Sequence, residues 1–200
     1  MNYTELKSLI AMTVGRSDLT NEIIEVIKTT ETELNMYLRT AELHNTAYLT
    51  QEIDGSYTLP DDFVEVIRIR VNGDEVEQMN PQVADTAYAT PVAYYMLGNK
   101  LEIRVVPDIG DTVTVDYYKQ VPVLSDANPT SDILERYPTL YLNGAMLYLK
   151  LLIQDLEEAQ AYSERFNSLM SSVNKVNARR RGKPRMSTSY MLGQSYTPAV

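Results

Sequence analysis

The sequence predicts an α+β fold: a helical bundle from N- and C-terminal helices, with an inserted antiparallel β subdomain and an extended C-terminal tail. Three observations carry this. Apolar residues recur every three or four positions over residues 3–39 and again over 131–176. Between about Tyr48 and Val121 they instead alternate with polar residues, the period of a strand. Residues 182–200 follow neither period and hold Pro184, Gly193 and Pro198, as a segment without structure of its own does. The division that follows is 1–45 and 125–181 for the bundle, 46–124 for the β subdomain and 182–200 for the tail.

The first helix covers about 3–13, with Leu6, Leu9, Ile10 and Val14 on one side and Gly15 to end it. A second helix, capped by Ser17 or Thr20, runs to about Arg39 on a stripe of Ile23, Ile24, Ile27, Leu34, Tyr37 and Leu38. Its run of Thr29, Thr30 and Thr32 is a weak helix former, so packing must hold it. Tyr57 and Leu59 then lead into a turn at Pro60-Asp61-Asp62. Phe63 to Val71 reads as a strand with Ile67, Ile69 and Val71 on one face and Arg68 and Arg70 on the other. Asn72-Gly73 is the strongest short-range hairpin signal and returns the chain through Val76 and Met79. Residues 81–87 read as a short helical turn. A second hairpin pairs 92–97 with 101–105 across Gly98-Asn99, and 112–118 alternates Val113, Val115 and Tyr117 against Thr114, Asp116 and Tyr118. The total is five or six antiparallel strands, a small sheet or barrel.

Ser131 or Asp132 caps a short helix through Tyr137, and Pro138 suits the first turn of the next one. Residues 140–153 are apolar nearly all round. A chain of 200 residues has little interior for such a helix, so part of its surface is expected to face another subunit. Asp155 caps the last helix, whose stripe is Leu156, Ala159, Tyr162, Phe166, Leu169, Val173 and Val176.

Composition narrows the chemistry. Apolar residues make up 44% and charged ones 22%, a globular balance. Cysteine is absent, which excludes disulfides, thiolate metal sites and thiol nucleophiles together. The sequence has no G-x-x-x-x-G-K or G-x-G-x-x-G phosphate cradle. A lone His44 at a helix-to-strand junction reads as a solvated turn residue. Ser172 and Lys175 have S-x-x-K spacing without its companion motifs. Asp61-Asp62 reads as turn chemistry, and Glu157-Glu158 complements a helix N-terminus. No catalytic residue, metal site or cofactor is expected, and no membrane segment, since no apolar run nears 18 residues. The start MNYTELKSLI has no signal-peptide pattern, so assembly in the cytoplasm is expected.

Charge is unevenly placed. Net charge is −9, but the last acid is Glu164. Seven of the 18 cations follow it, so residues 1–164 hold 11 cations against all 27 acids, a net of −16. An acidic body disfavours nucleic acid while a basic tail docks on an acidic surface. The run Arg179, Arg180, Arg181, Lys183, Arg185, with Tyr190, Met191, Leu192 and Tyr196 beyond it, is therefore the candidate docking segment. Ordering residues 182–200 costs more conformational entropy than burying those few side chains offsets, so a partner must supply main-chain pairing. Fully extended, the tail spans ~60 Å. Fifteen tyrosines against two phenylalanines and no tryptophan also suit surfaces buried between subunits. Tyr141, Met146, Tyr148, Tyr162 and Phe166 are the candidate subunit-interface residues.

Three stretches resemble the head-to-tail adaptor (connector) proteins of short-tailed bacteriophages: YTLPDDFVEVIRIRVNG at 57–73, PVAYYMLGNKLEIRVVPDIGDTVTVDYYKQVPVLSD at 91–126 and SDILERYPTLYLNGAMLYL at 131–149. The sequence departs at Ile133, where relatives often carry a Trp. The resemblance implies a non-enzymatic virion protein at the portal vertex, forming a twelve-subunit ring below the portal protein. Such a ring extends the DNA channel without binding DNA specifically and seats further tail proteins, a nozzle or tail tube. It also implies that the C-terminal segment contacts the portal. Two other readings compete: nucleic-acid binding through the basic run, and a virion-associated cell-wall hydrolase using distant carboxylates.

Overall fold

The computed structural model describes residues 1–80, 93–104 and 110–180, with residues 179 and 180 described by their backbone alone. The turn expected at 81–87 and the tail at 182–200 lie outside the described residues.

Helix α1 spans Tyr3–Val14. The Asn2 side chain accepts the Glu5 N–H and the Glu5 carboxylate accepts the Asn2 N–H, both at 2.9 Å, satisfying two amides the helix cannot. Gly15, at φ 71°, closes it as expected. Helix α2 spans Thr20–Tyr37. Its cap position is Leu19, which is buried and makes no side-chain cap, so neither Ser17 nor Thr20 caps it. Its buried stripe is Ile23, Val26, Ile27, Thr30, Glu31 and Leu34; Tyr37, expected in the stripe, is exposed. Thr30 is tolerated because its hydroxyl donates to the Val26 carbonyl at 2.7 Å.

A single 3-10 turn (Ala41–Leu43) leads into β1 (His44–Leu49). There follow β2 (Tyr57–Thr58), β3 (Phe63–Val71), β4 (Asp74–Gln78), β5 (Ala93–Leu97), β6 (Lys100–Arg104) and β7 (Val113–Lys119). They form one seven-stranded sheet in the order β1-β7-β3-β4-β5-β6-β2. A bridge between Gln51 and Tyr57 joins the chain just beyond β1 to β2, so the two ends of that order meet and the sheet curls into a small barrel. Both expected hairpins are present, with Asn72 at φ 53° and Gly73 at φ 93° making the first turn. The all-antiparallel expectation is corrected: β4 and β5 pair in parallel, Glu77 opposite Ala93.

Strand β3 also departs from simple alternation. Its register against β7 slips between Phe63 and Glu65 and between Val66 and Arg68, so Val64 and Ile67 are bulged residues. Each bulge turns its side chain toward the helices, whereas Phe63, Val66, Ile69 and Val71 face the barrel interior. Ile67 therefore does not share a face with Ile69 and Val71.

Helix α3 (Asp132–Arg136) is capped by the Ser131 hydroxyl, which accepts the Leu134 N–H at 3.1 Å. Helix α4 (Pro138–Leu152) starts on its proline and lies against α1, α2, α3 and α5. Helix α5 (Leu156–Arg180) follows a tight turn, and Asp155 caps it by accepting the Glu158 N–H. Its buried positions are Ala159, Phe166, Met170 and Asn177, while Leu156 and Val176, expected in the stripe, are exposed.

Two apolar clusters result. One joins Leu6, Ile10, Ile27, Leu34, Tyr141, Met146 and Phe166 among the helices. The other fills the barrel with Tyr57, Ile69, Tyr94, Leu101, Val115 and Tyr117. Strand β7 is the shared wall, sending Val113, Val115 and Tyr117 into the barrel and Tyr118 into the helical cluster. Helix α2 fastens the chain as it returns from the barrel: Asn35 accepts the Val121 N–H at 2.6 Å and Glu31 accepts the Leu124 N–H at 2.9 Å.

Candidate functional site

The basic run starts at the end of α5, and two asparagines fix that part of the helix. Asn174 accepts the Arg39 N–H at 2.9 Å and donates to the Tyr37 carbonyl at 2.8 Å. Asn177, 2% exposed, accepts the Ala41 N–H at 3.2 Å. The segment between α2 and β1 has left helical pairing there, so its amides need acceptors, and the two side chains, three positions apart on one face of α5, supply them. Arg39 continues the junction with a 2.5 Å bond from its guanidinium to Glu65 of β3. Helix, turn and barrel are thus tied together just before Arg179 and Arg180, the last described residues. The sequence reading missed both asparagines, because an apolar stripe search passes over a buried polar side chain.

Of the candidate docking residues, Arg179 and Arg180 end α5. Arg181, Lys183, Arg185, Tyr190, Met191, Leu192 and Tyr196 lie outside the described residues. The candidate interface residues divide. Tyr141, Met146 and Phe166 are 0–2% exposed inside this chain's own core and have no area left for a neighbour in this conformation. Tyr148 and Tyr162 are half-buried; the Tyr148 hydroxyl donates to Glu33 at 3.2 Å and Arg165 stacks over the Tyr162 ring. The apolar excess of α4 surfaces instead at its end, where Leu151 and Leu152 are exposed beside Leu156.

The polar clusters among the described residues are structural. Asp116 of β7 is 2% exposed and receives Arg68, Arg70 and the Thr46 hydroxyl at 2.7–2.8 Å. Burial alone would raise its carboxyl; the bonds from Thr46 and Arg68 and the charge of Arg70 outweigh that and hold it below the ordinary aspartate value. Lys150, 8% exposed, clamps Asp155 and Glu158 at 3.0 and 2.6 Å across the α4–α5 turn. The Tyr117 hydroxyl donates to Asp62, and burial with that carboxylate pushes it up to about 12. Glu31 lies in the helical core, raised to about 7 by burial against the opposing bond from Leu124.

None of these places a nucleophile, a base and an open cleft together. The Ser172 hydroxyl donates to the Ser168 carbonyl of its own helix, and His44 is solvent-exposed at the start of β1. Among the described residues no three metal-ligating side chains converge, and no helix is long and apolar enough to cross a membrane. Compared with known proteins, the chain matches no curated protein, while a family model described as SU10 adaptor protein matches residues 1–189.

Proposed function

The chain belongs to the SU10 adaptor protein family, a family of phage structural adaptors rather than enzymes, and on that premise we propose that it is a head-to-tail adaptor of a short-tailed phage. Its subunits form a ring below the portal, extend the DNA channel and seat the next tail components. Residues 1–45 and 125–181 form the bundle that packs the ring, 46–124 the β subdomain that meets neighbouring subunits or the tail, and 182–200 the arm that reaches the portal. The ring holds twelve copies, assembles in the host cytoplasm and ends at the portal vertex of the virion.

One observation carries the reading: the family match runs through the end of α5, just past the asparagine-tied junction of helices and barrel, and on through the basic run. A segment that transmits load between two rings needs a rigid origin, and that junction is one. The −16 charge of residues 1–164 suits a channel wall that does not hold passing DNA. Truncation after Ala178 tests the assignment. The shortened protein keeps its helical circular dichroism and unfolding transition but no longer binds purified portal. Undiminished binding refutes the arm's role.

A further inference from the structure

We propose that the open edge of β1 holds residues 186–192 of its own chain as an added parallel strand until the portal takes them; only the release rests on the adaptor reading above. Hydrogen-bond direction defines the edge. At the two ends of β7 the Gln120 N–H donates to the Asp62 carbonyl and the Thr112 carbonyl accepts the Asn72 N–H, so the even positions of that strand face β3. Its odd positions face β1, where Val113, Val115 and Tyr117 lie opposite Leu49, Ala47 and Asn45. The His44 carbonyl and the N–H and C=O of Thr46 and Tyr48 therefore point away from β7, and all three residues are exposed. No described strand pairs with them. A little further on the chain uses the same edge itself: Gln51 bridges Tyr57, and the Glu52 N–H donates to the Ser56 carbonyl at 2.8 Å. That pairing goes no further back along β1, because Leu59 turns to the Asn99 carbonyl and Pro60 has no N–H to give.

Such an edge needs a cover. Lysines, prolines and bulges keep natural edge strands from pairing with strangers, and the stretch from His44 to Leu49 has none of them. The place where α5 ends selects the occupant. Asn177 accepts the Ala41 N–H just ahead of His44, and Arg180 ends the helix within one further turn. The end of α5 and the start of β1 thus lie within roughly 15 Å, which the extended residues 181–185 span. Met186 to Leu192 follows, the longest run of 181–200 without charge, proline or glycine. Met186, Thr188, Tyr190 and Leu192 alternate with Ser187, Ser189 and Met191, so the run has the period of a strand. Entering beside His44 and running toward Tyr48, it has the direction of β1, which makes the pairing parallel. Its tether gives it an effective concentration of about 1 mM, ahead of any strand from another molecule. So few main-chain bonds make a reversible contact, and the cations of 179–185 precede the strand and stay available to the portal.

Amide exchange followed by NMR reads this edge one residue at a time. In the full chain the Thr46 and Tyr48 N–H groups exchange several-fold more slowly than in a chain ending at Arg185. Those of Asn45, Ala47 and Leu49, which face β7, exchange alike in both and report that the fold is intact. Equal exchange at Thr46 and Tyr48 in the two chains overturns the docking. Protection that grows with protein concentration overturns it as well, because it assigns the edge to a second copy. Tyr48→Pro then removes one outward N–H at a position 79% exposed, leaving the β1–β7 bonds in place. It abolishes the extra protection at Thr46 and, with the arm set free, binds purified portal several-fold faster than the wild type. Slower binding assigns the edge to the portal, and an unchanged rate shows that nothing is displaced; either result overturns the release. A wild-type chain that binds no portal sinks the adaptor reading and leaves the exchange result as it stands.

Discussion

Replacing Glu31 by Gln is expected to stabilise the protein at alkaline pH and to change little in acid. Glu31 is 3% exposed, on the α2 face that meets α1 and α4. The charged and titratable groups that act with it are Tyr3 of α1, Lys28 of its own helix and Tyr141 of α4, whose hydroxyl lies near Ser131 without a hydrogen bond of regular geometry. Its one hydrogen bond is from the Leu124 N–H, which a Gln side-chain oxygen accepts equally well. Burial raises the carboxyl from 4.5 to about 7, so the folded chain holds the proton more tightly than the unfolded one. The sign follows directly. Below the unfolded value both states are protonated and nothing is lost; stability falls as pH rises between the two values; above the folded value the full penalty applies. At 1.36 kcal/mol per pH unit that penalty is about 3 kcal/mol. Gln never ionises, so the variant escapes it at pH 8 and gains almost nothing at pH 4.5. Urea unfolding of both proteins across that range reads the difference directly, as a midpoint shift of about 1–2 M at pH 8. Comparing the two chains cancels the acid sensitivity of the other carboxylates. A difference that does not vary with pH, or a wild type more stable at pH 8, refutes the reasoning.

Other expectations follow from single contacts. A Cβ on Gly144 would sit 2.5 Å from Thr30 Cγ2 and 2.9 Å from Phe166 Cε2, so Gly144→Ala forces α4 away from both neighbours. Overpacking of about 1–3 kcal/mol exceeds the roughly 1 kcal/mol of added helix preference, and calorimetry shows a lower melting temperature. Asn177→Ala leaves the Ala41 amide without its acceptor and costs about 1–3 kcal/mol, visible as faster hydrogen exchange at Ala41. Asp116→Asn strips the counter-charge from Arg68 and Arg70. Both guanidiniums keep some solvent, so the cost is about 2–4 kcal/mol rather than the full value for a buried pair. Because the Asp116 carboxyl is held low, its stabilisation is present above the ordinary 3.8 of an aspartate and fades as pH falls below it; denaturation of both chains at pH 7 and pH 3 shows the difference shrinking.

Local signals in the sequence are strong where neighbouring residues alone decide the outcome. Gly15 ends α1, Ser131 caps α3, Pro138 opens α4 and Asn72-Gly73 makes its hairpin, each because one residue's backbone preference or side-chain oxygen suffices. Reading fails where a distant partner decides. Phe63 to Val71 is a plain β-branched run; the bulges at Val64 and Ile67 exist because β3 must serve two cores, and only its pairing with β7 reveals that. Alternation tells which side of a strand is apolar but not the direction of its neighbour, so the parallel β4–β5 pair is invisible. Period likewise marks Leu156 and Val176 as core, although Leu156 stands exposed at the start of α5 and Val176 is exposed beside the buried Asn177. In the candidate site the basic run is legible as composition, while the Asn174 and Asn177 ties require knowing that the α2–β1 connection crosses α5.

The distribution of charge connects the proposed arm with the proposed ring. A ring of twelve copies at −9 each carries −108, and uniform placement of that charge would oppose assembly. This chain does not place it uniformly. Most described cations of the body already face an acid within the same subunit: Lys7 with Asp126, Arg39 with Glu65, Arg68 and Arg70 with Asp116, Lys100 with Asp54, Arg136 with Glu42, Lys150 with Asp155 and Glu158. Cations engaged in that way hold the fold and offer little to a partner. From Arg165 onward the acids stop, so the later cations have no acid within their own segment and must find one elsewhere. In the proposed adaptor, the cations of 179–185 are the ones offered to the portal. Under the proposed function, the break in acid content at Glu164 divides charge paired within the subunit from charge available to a partner. Moving acids into 165–185 by substitution is therefore expected to weaken assembly at low salt while leaving the unfolding midpoint of the isolated chain unchanged. Equal losses in both would show that the break has no such meaning.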